Sequence, residues 1–402
     1  MKKVLAIVLC VLMSVAVLAG CTAAAPAASE STSAAASESA SPAASESAAA
    51  SESASAPAES QSAAADGEVM SKGPHGETAA PATGLTLTDE ELAKIKEGNY
   101  KVAISFHYAG NDWSTAQQAG LRDQFEKMGI EVLSVTDANF KPEQQISDIE
   151  NALSLKPDAI VAIPVDVVSS ASAFKKAAAE GVELVFMDNC PDGMEAGVDY
   201  TSVVSADNYG NGVKSAEIMG EALGGKGKIA MVYHDANFFV TNQRDEAFEK
   251  TITEKYPDIE IVEKAGFDDE NKGAEIADAL LTKHPDLNGI YACWDIPAEG
   301  VVSAARAAGR NDLVVTTIDL GNNVAKMIAG NDIVAGLGAQ LPYDQGVAEA
   351  ILVGYALLEK EAPPYVAVPA LKVTHDNILD AYKTVYHTDA PQEIQDALNS
   401  GK

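Results

Sequence analysis

The chain has 402 residues, of which 59 are acidic and 28 are basic, so its formal net charge is −31 at pH 7. A surface of this charge repels nucleic acids and anionic lipid headgroups, which argues against a nucleic-acid-binding protein and favours a neutral or cationic ligand. Residues 85–402 are more than a single domain usually contains, so two domains are expected.

The first 20 residues have the pattern of a secretory signal peptide, with a basic start, an apolar core over residues 4–18 and small residues before Cys21. The apolar core is shorter than the roughly 20 residues that a membrane-spanning helix needs. Leu18-Ala19-Gly20-Cys21 resembles the bacterial lipoprotein box, in which the cysteine is acylated and becomes the first mature residue. This resemblance implies that Cys21 anchors the protein to the outer side of the bacterial cell membrane. The alternative is an ordinary signal peptide followed by an incidental cysteine.

Residues 21–84 are predicted to form a disordered linker, because they consist mostly of Ala, Ser, Pro and Glu. Large apolar side chains are nearly absent, so little can offset the conformational entropy lost on ordering. Pro26, Pro42 and Pro57 argue against an alanine-rich helix. A flexible linker of roughly 60 residues has a root-mean-square reach of about 40–45 Å, enough to hold a domain away from a membrane.

From residue 101 onward, short apolar runs alternate with stretches whose apolar residues recur at helical spacing. The predicted strands are 101–106, 131–135, 159–163, 183–187, 228–233, 260–263, 290–293, 314–318 and 333–337. The predicted helices are 112–128, 142–155, 170–180, 211–223, 244–255, 272–283, 298–308 and 322–328. This alternation is typical of βαβ units, and its two successive runs predict two α/β lobes with parallel sheets. The first crossing between them is expected within 203–210, and residues 391–398 form either a short added helix or a frayed end.

Ligands of open α/β sheets bind outside the carboxyl ends of the strands, so the residues that follow strands are candidate ligand contacts. Carboxylates and amides bond to vicinal hydroxyls, and flat aromatic side chains stack on the C–H faces of a sugar ring. An Asp at a strand end can also simply cap the next helix, but agreement among many strand ends predicts a sugar site between the lobes. The candidates are His107, Tyr108, Asp112, Trp113, Asp188, Asn189, Arg244, Phe267, Trp294, Asp295, Asp319 and Gln340.

Several stretches together resemble one family over residues 101–379. They are Pro157-Asp158-Ala159-Ile160 with Pro164, AAEGVELVFMD at 178–188, Ser205-Ala206-Asp207-Asn208, GGKGKIAM at 224–231, His284-Pro285-Asp286-Leu287, and Gln340-Leu341-Pro342 with Gln345-Gly346. The chain resembles the periplasmic sugar-binding proteins of the ribose/galactose type, which are the substrate-binding subunits of ABC sugar importers.

The resemblance implies two Rossmann-like lobes joined by a hinge of three crossing strands, of the type I periplasmic-binding fold. The expected N-terminal lobe is 85–205 plus 341–373, the C-terminal lobe is 206–340 plus 374–386, and 387–402 form a tail. The lobes would close on a monosaccharide or polyol and present it to ABC permease subunits. A monomer is expected, with no catalysis, cofactor, metal or nucleic acid.

The resemblance also assigns roles by position. It implies polar ligand contacts from Asp188, Arg244, Asp295, Asp319 and Gln340, and ring stacking from Trp113 and Phe267. This chain departs from the ribose type where Asn189 replaces an arginine and Trp294 replaces an asparagine, and His107 and Tyr108 stand where phenylalanine is frequent. These changes predict a ligand with fewer hydroxyls, a polyol or a modified ring, placed against a wall formed by Trp294.

The sequence gives little support for an enzyme. The motifs GxSxG, HExxH and GxxxxGK[ST] of common enzymes are missing from the sequence. The run DDENKG at 268–273 resembles the start of a calcium loop, but Lys272 occupies a ligand position and the twelfth position is not a glutamate, so a solvated helix start is favoured.

A signal peptide in place of a DNA-binding headpiece argues against a sugar-responsive repressor. Two questions stay open on the sequence alone. A sensor, chemotaxis or quorum-signal receptor of the same fold, or a site for a nucleoside, remains an alternative. Cys190 and Cys293 could pair, although they fall in different predicted lobes.

Overall fold

The computed structural model describes residues 69–236 and 238–401, so the predictions for the signal peptide, Cys21 and the linker up to residue 68 lie outside the described residues. Its strands are Ala80–Pro81 (β1), Lys101–Phe106 (β2), Glu131–Asp137 (β3), Ala159–Ala162 (β4), Glu183–Met187 (β5), Ser202–Ala206 (β6), Lys226–His234 (β7), Asp258–Phe267 (β8), Gly289–Ala292 (β9), Val314–Ile318 (β10), Val334–Ala339 (β11), Tyr365–Val368 (β12) and Leu371–Thr374 (β13).

The α-helices alternate with these strands over most of the described chain. They are Asp89–Gly98 (α1), Asp112–Met128 (α2), Pro142–Ser154 (α3), Ala171–Ala179 (α4), Asn208–Ala222 (α5), Phe239–Lys255 (α6), Gly273–Lys283 (α7), Asp295–Ala307 (α8), Asn322–Ala329 (α9), Pro342–Leu357 (α10), Ile378–Tyr386 (α11) and Gln392–Ser400 (α12). A search of the described helices finds none with the length and apolar character needed to cross a membrane.

The strands form two sheets, each at the centre of one lobe. The sheet of the N-lobe has the order β1-β12-β6-β5-β4-β2-β3 and all its pairs are parallel. The sheet of the C-lobe has the order β13-β11-β10-β9-β7-β8, and only β13 runs antiparallel to its neighbour. Every residue of β4 is buried, which is why that strand reads as an unbroken apolar run. The predicted fold class, two α/β lobes with mostly parallel sheets, is confirmed.

The chain passes between the two sheets three times. It leaves the N-lobe sheet after Ala206, returns after Ala339, and crosses again between Val368 and Leu371. The carboxyl ends of β2 and β5 in one sheet and of β7, β9 and β10 in the other therefore face a common cleft. Cys190 and Cys293 are free and buried.

Helix α2 shows why many predicted elements match the structure closely. Asn111 caps its start, because the side-chain oxygen accepts a hydrogen bond of 2.8 Å from the backbone N–H of Ser114. Gly129 ends it in the left-handed region, with φ of 70°. Helix α10 packs so closely on α2 that a Cβ at Gly346 would lie 2.2 Å from the carbonyl oxygen of Gln117.

Residues 69–84, here called the strap, differ from the predicted disordered linker because they pack on the folded body. β1 pairs with β12, which extends the N-lobe sheet. The backbone N–H of Ser71 donates to a carboxylate oxygen of Asp207 over 2.9 Å, and its hydroxyl accepts from the backbone N–H of Tyr209 over 2.9 Å. Lys72 and the side chain of Gln243 on α6 exchange two longer hydrogen bonds of 3.3 and 3.4 Å.

Two expected boundaries also differ at the C-terminal end. Residues 371–373, expected in the N-lobe, belong to β13 and pair with β11 of the C-lobe. The tail from residue 387 contains α12 and is not frayed, because Ile394 is fully buried in the C-lobe core, with Ala397 and Leu398 packed against it. Burial of this apolar face stabilises a helix that is too short to be stable alone.

Candidate functional site

A cleft with a volume of about 860 Å³ lies between the carboxyl ends of the two sheets. Nine of the twelve residues predicted from the strand ends line it. They are His107, Tyr108, Trp113, Asp188, Arg244, Phe267, Trp294, Asp319 and Gln340. Asp295 lines a small adjoining cavity next to Asp319 and Gln340. The structure thus brings together residues that are far apart in the sequence and come from both lobes.

The remaining two predicted residues, Asp112 and Asn189, do not line the cleft. Asn189 is buried in the N-lobe, one residue beyond Asp188. The Asp112 carboxylate instead reaches the opposite lobe, where it accepts hydrogen bonds from the backbone N–H of Asn322 over 2.8 Å and from its side-chain amide over 3.0 Å. Asp112 is therefore placed as a contact between lobes, because the first residue of α9 offers it two donors.

One end of the cleft is a buried network of charged and amide groups. The Arg244 guanidinium, on α6, donates to Asn208 over 2.9 Å, to the carbonyl oxygen of Cys293 over 3.2 Å and to Asp319 over 3.4 Å. The Gln340 amide donates to the other oxygen of Asp319 over 2.7 Å. These bonds fix the guanidinium fork and the carboxylate before any ligand arrives, which lowers the cost of ordering them on binding.

The N-lobe contributes Asp188 to this polar end. Its carboxylate accepts a hydrogen bond of 2.6 Å from the Ser205 hydroxyl. Burial raises the pKa of Asp188 to about 6, against the lowering effects of Ser205 and Arg244. Burial opposes charge on Arg244 too, but Asp319 and Asp188 outweigh it and raise the pKa of the guanidinium, so it remains a cation.

The backbone at two of these carboxylates is unusual. Asp188 has φ of 57° and Asp319 has φ of 70°, both in the left-handed region, and each directly follows a strand. Such positions cost a non-glycine residue on the order of 1–3 kcal/mol and persist where the surrounding structure imposes them, often at functional sites. The strained turns aim both carboxylates into the cleft.

The other end of the cleft is lined by aromatic rings from both lobes. Tyr108 and Phe140 of the N-lobe stack with centroids 4.9 Å apart and planes 11° apart. The His107 ring lies parallel to Phe238 of the C-lobe at 6.0 Å. Burial lowers the pKa of His107 to about 3, with a smaller contribution from His234, so the imidazole is neutral and acts as another flat ring.

Trp294 lines the cleft just after β9, where a wall against the ligand is expected because this residue replaces the asparagine of the ribose type. Its indole N–H donates to the Glu270 carboxylate over 3.1 Å, which holds the ring in place. Phe267, expected as a stacking platform, packs edge-on to Trp294 at 4.9 Å and carries His234 on one face at 5.7 Å. Phe267 is only 2% exposed, so it mainly supports the wall.

Several residues that line the cleft were not among the predicted site residues. They are Asn111, Asn139, Phe140, Val165, Asp166, His234, Ala236, Phe238, Val240, Thr241, Asp268, Asp269, Glu270 and Asn271. Phe140 and Glu270 lie three residues beyond the ends of β3 and β8, where the sequence does not show which way a loop side chain points. The run Asp268-Asp269-Glu270, seen in the sequence only as a helix start, was the available signal.

Comparison with known proteins agrees with this geometry. A sequence profile of the periplasmic binding protein domain family matches residues 102–362. The ribose import binding protein of Bacillus subtilis is 27% identical over 238 residues, 58% of this chain and 75% of that protein. The D-apiose import binding protein of Actinobacillus succinogenes is 27% identical over 251 residues, 61% of this chain and 78% of that protein.

Solved structures show the same fold. A solute-binding protein of an ABC transporter from Actinobacillus succinogenes, bound to D-allose, is 25% identical with a TM-score of 0.63, over 69% of this chain and 99% of that chain. A solute-binding protein from Agrobacterium vitis, bound to α-D-tagatopyranose, is 22% identical with a TM-score of 0.66, over 71% of this chain and 99% of that chain.

Proposed function

Because this chain belongs to the periplasmic binding protein domain family, we propose that it captures a monosaccharide or polyol between its lobes, outside the cytoplasm, and delivers it to an ABC importer. One observation carries the proposal: Asp188 of the N-lobe and the Arg244–Asp319–Gln340 network face the same cleft from opposite sides. Carboxylates, an amide and a guanidinium provide both acceptors and donors, which is what the hydroxyls of a sugar or polyol require.

Binding between two lobes gives a direct mechanism for signalling occupancy. A ligand that bonds to Asp188 and to Asp319 at once stabilises the closed arrangement and not an open one, so binding shifts the population toward closure. The closed lobes then present a different surface to the permease. This function needs no covalent chemistry and no cofactor.

A thermal-shift screen followed by calorimetry tests the proposal. D-ribose, D-allose, D-apiose, D-tagatose, glucose and inositol form the first panel, because neutral sugars and polyols are the proposed cargo. A ligand at a hundred times its Kd stabilises the folded state by about 2.7 kcal/mol. We expect Asp319→Asn and Arg244→Lys to weaken the hit, while Asp312→Asn, an exposed ion-pair change outside the cleft, has no effect. The proposal would be refuted if neither these compounds nor other monosaccharides and polyols, amine-bearing ones included, gave a hit.

We further propose that Cys21 carries a lipid anchor and that the protein acts as a monomer. The signal-peptide pattern and the cysteine after Leu-Ala-Gly support the anchor. The native chain should partition into detergent with the membrane fraction, and Cys21→Ser should release it into the soluble fraction. A Cys21→Ser variant that stays in the membrane fraction would refute the anchor, and light scattering of the purified protein would test the monomer.

A further inference from the structure

The charges that line the cleft are strongly unbalanced. Six carboxylates face one guanidinium; the carboxylates are Asp166, Asp188, Asp268, Asp269, Glu270 and Asp319, and the cation is Arg244. Arg244 pairs with Asp319, and Lys272 pairs with Asp268 at the rim. Within the described part of the chain, Asp166, Asp269 and Glu270 have no salt-bridge partner. An anionic sugar would meet repulsion on nearly every side of this cleft.

Glu270 is the member of this set with the most informative surroundings. It is half-buried beside the aromatic end of the cleft, where one carboxylate oxygen accepts the indole N–H of Trp294 over 3.1 Å. Burial raises its pKa, and the hydrogen bonds of Trp294 and Tyr108 oppose this. A half-buried carboxylate whose donors are both neutral has no counter-charge in place of the water it has lost, and a cation within reach would supply one.

The rings around Glu270 favour the same partner. Tyr108 and Phe140 form an offset stack at the mouth of the cleft, and Phe140 is 49% exposed although it is a large apolar side chain. Phe140 also has φ of 55°, a strained value for an aromatic residue, so the loop holds the ring there at a cost. Electron-rich aromatic faces attract a cation within about 6 Å of the ring centroid.

The polar end of the cleft holds a buried acceptor that a donor on the ligand would satisfy. Gln340 is only 4% exposed and lines the cleft, and its side-chain oxygen has no hydrogen-bond partner. Nε and Nη1 of Arg244 are engaged with Asn208, Cys293 and Asp319, which leaves Nη2 to donate to a ligand oxygen. A buried acceptor without a donor is costly, so a hydroxyl or amine of the ligand that donates to Gln340 would stabilise the complex.

We propose that the cargo is a sugar or polyol that carries a protonated amine, with the hydroxylated ring at the Asp188–Arg244–Asp319 end and the ammonium between Glu270 and the aromatic rings. This inference rests on the proposed function and narrows it. A neutral aryl group would also fill the aromatic end, but it would exclude water from Glu270 without providing a counter-charge. The ammonium group answers the unpaired charge and the aromatic rings at its end of the cleft, and the hydroxyls of the ring supply a donor for the free oxygen of Gln340 at the other end.

Matched pairs of sugars distinguish the effect of the ligand's charge on affinity from the effect of its shape. D-glucose, D-galactose and D-mannose are each compared with their 2-amino-2-deoxy and N-acetyl counterparts by calorimetry on the purified protein. Phenyl β-D-glucoside and adenosine represent a neutral aromatic group. In at least one series we expect the amino sugar to bind about ten- to a hundred-fold more tightly than the neutral parent and the N-acetyl sugar, the range of a charge-assisted hydrogen bond.

Two further measurements connect the preference to Glu270. Glu270→Gln keeps the side-chain shape and an oxygen that can accept the Trp294 indole N–H, and it should abolish the preference for the amine, so that the affinity for the amino sugar falls much more than the affinity for its neutral parent. Glu275→Gln changes the net charge equally on the exposed face of the same lobe and should change nothing. In the unaltered protein, raising the salt concentration should weaken the amino sugar more than its parent.

The outcomes are distinct. If neutral sugars bind and no amino sugar binds more tightly than they do, the amine is refuted and the proposed function stands. The same conclusion follows if an aryl glycoside or a nucleoside binds with higher affinity than every amino sugar. If Glu270→Gln weakens an amino sugar and its parent equally, the assigned place of the ammonium is refuted. If no sugar or polyol binds at all, the proposed function fails and the amine fails with it.

Discussion

Asp112 links the two lobes directly, and its removal is the sharpest test of lobe closure. The residue lies at the start of α2 in the N-lobe, and its carboxylate accepts the backbone N–H and the side-chain amide of Asn322 in the C-lobe at 2.8 and 3.0 Å. The Tyr382 hydroxyl donates to the Asn322 side-chain oxygen over 2.8 Å, which orients the amide. These bonds form only when the lobes are together, so Asp112→Ala should destabilise the closed state alone.

The size of the effect follows from the contacts. A hydrogen bond to a charged group contributes about 1.5–3 kcal/mol when buried, and partial exposure reduces this to about 1 kcal/mol for each bond. Losing both bonds costs the closed state about 2 kcal/mol, which corresponds to a Kd about thirty times weaker. Asn322→Ala removes only the side-chain donor, so a loss of about fivefold is expected.

Calorimetry and stopped-flow release of the ligand found in the sugar screen measure both variants and their combination. The loss should appear mainly as faster release, and the double variant should bind no more weakly than Asp112→Ala alone, because the two residues share one interaction. Asn323→Ala, which removes a bond to Glu299 within the C-lobe, is the control. If Asp112→Ala weakens binding and Asn322→Ala does not, Asp112 contacts the ligand and the interpretation as an inter-lobe contact is refuted.

Three other changes probe the wall, the buried carboxylate and the helix packing. Trp294→Ala should lower the affinity for the cognate ligand at least about tenfold, since it removes a ring face, whereas Trp294→Phe should retain most of the affinity. Unchanged affinity in the alanine variant would refute the role of Trp294 as a wall against the ligand. Because burial raises the pKa of Asp188 from its ordinary value of 3.8 to about 6, the native state keeps a proton between these values that the unfolded state has lost. The contribution of Asp188 to the free energy of unfolding of the ligand-free protein should therefore fall by about 2 kcal/mol as pH rises from 4 to 6, and denaturant titrations should show a fall smaller by this amount for Asp188→Asn. Identical pH profiles of the two proteins would contradict this. Gly346→Ala places a methyl group 2.2 Å from the carbonyl oxygen of Gln117 and should destabilise the fold by about 1–3 kcal/mol in thermal unfolding. Gly84→Ala is the control, because the space around Gly84 is open and the added methyl group should have no such effect. Equal melting temperatures of the two variants would contradict the close packing of α10 on α2.

The parts of the fold that could be predicted are those where local signals agree. Helix α2 has a cap, an amphipathic pattern and a terminating glycine, and its predicted bounds match. Helix α10 was missed because it is buried on most sides, so it lacks a polar face and a helical period. β12 was missed because the prolines at 363, 364 and 369 flank its four residues and suggest a loop.

The candidate site divides in a similar way. The rule that ligands bind at the carboxyl ends of parallel strands located Asp188, Asp319 and Gln340, because each directly follows a strand and the strand fixes its place. The rule gives a location and not a partner, so it could not show that Asp112 reaches Asn322. Phe140 and Glu270 depend on loop conformation, which is set by tertiary contacts.

The contacts of the strap also determine where a mechanical load on the preceding chain would act on the folded body. Ser71 is bonded to Asp207 and Tyr209, which immediately follow the first crossing between the lobes, and Lys72 is bonded to Gln243 on α6. A pull on the chain ahead of residue 69 is therefore applied near the pivot of the lobes, where it has a short lever arm. Such a load would rotate the two lobes together and would not separate them. With the proposed anchor at Cys21, a load on the chain would therefore have little effect on the opening and closing of the lobes and on the affinity for the ligand.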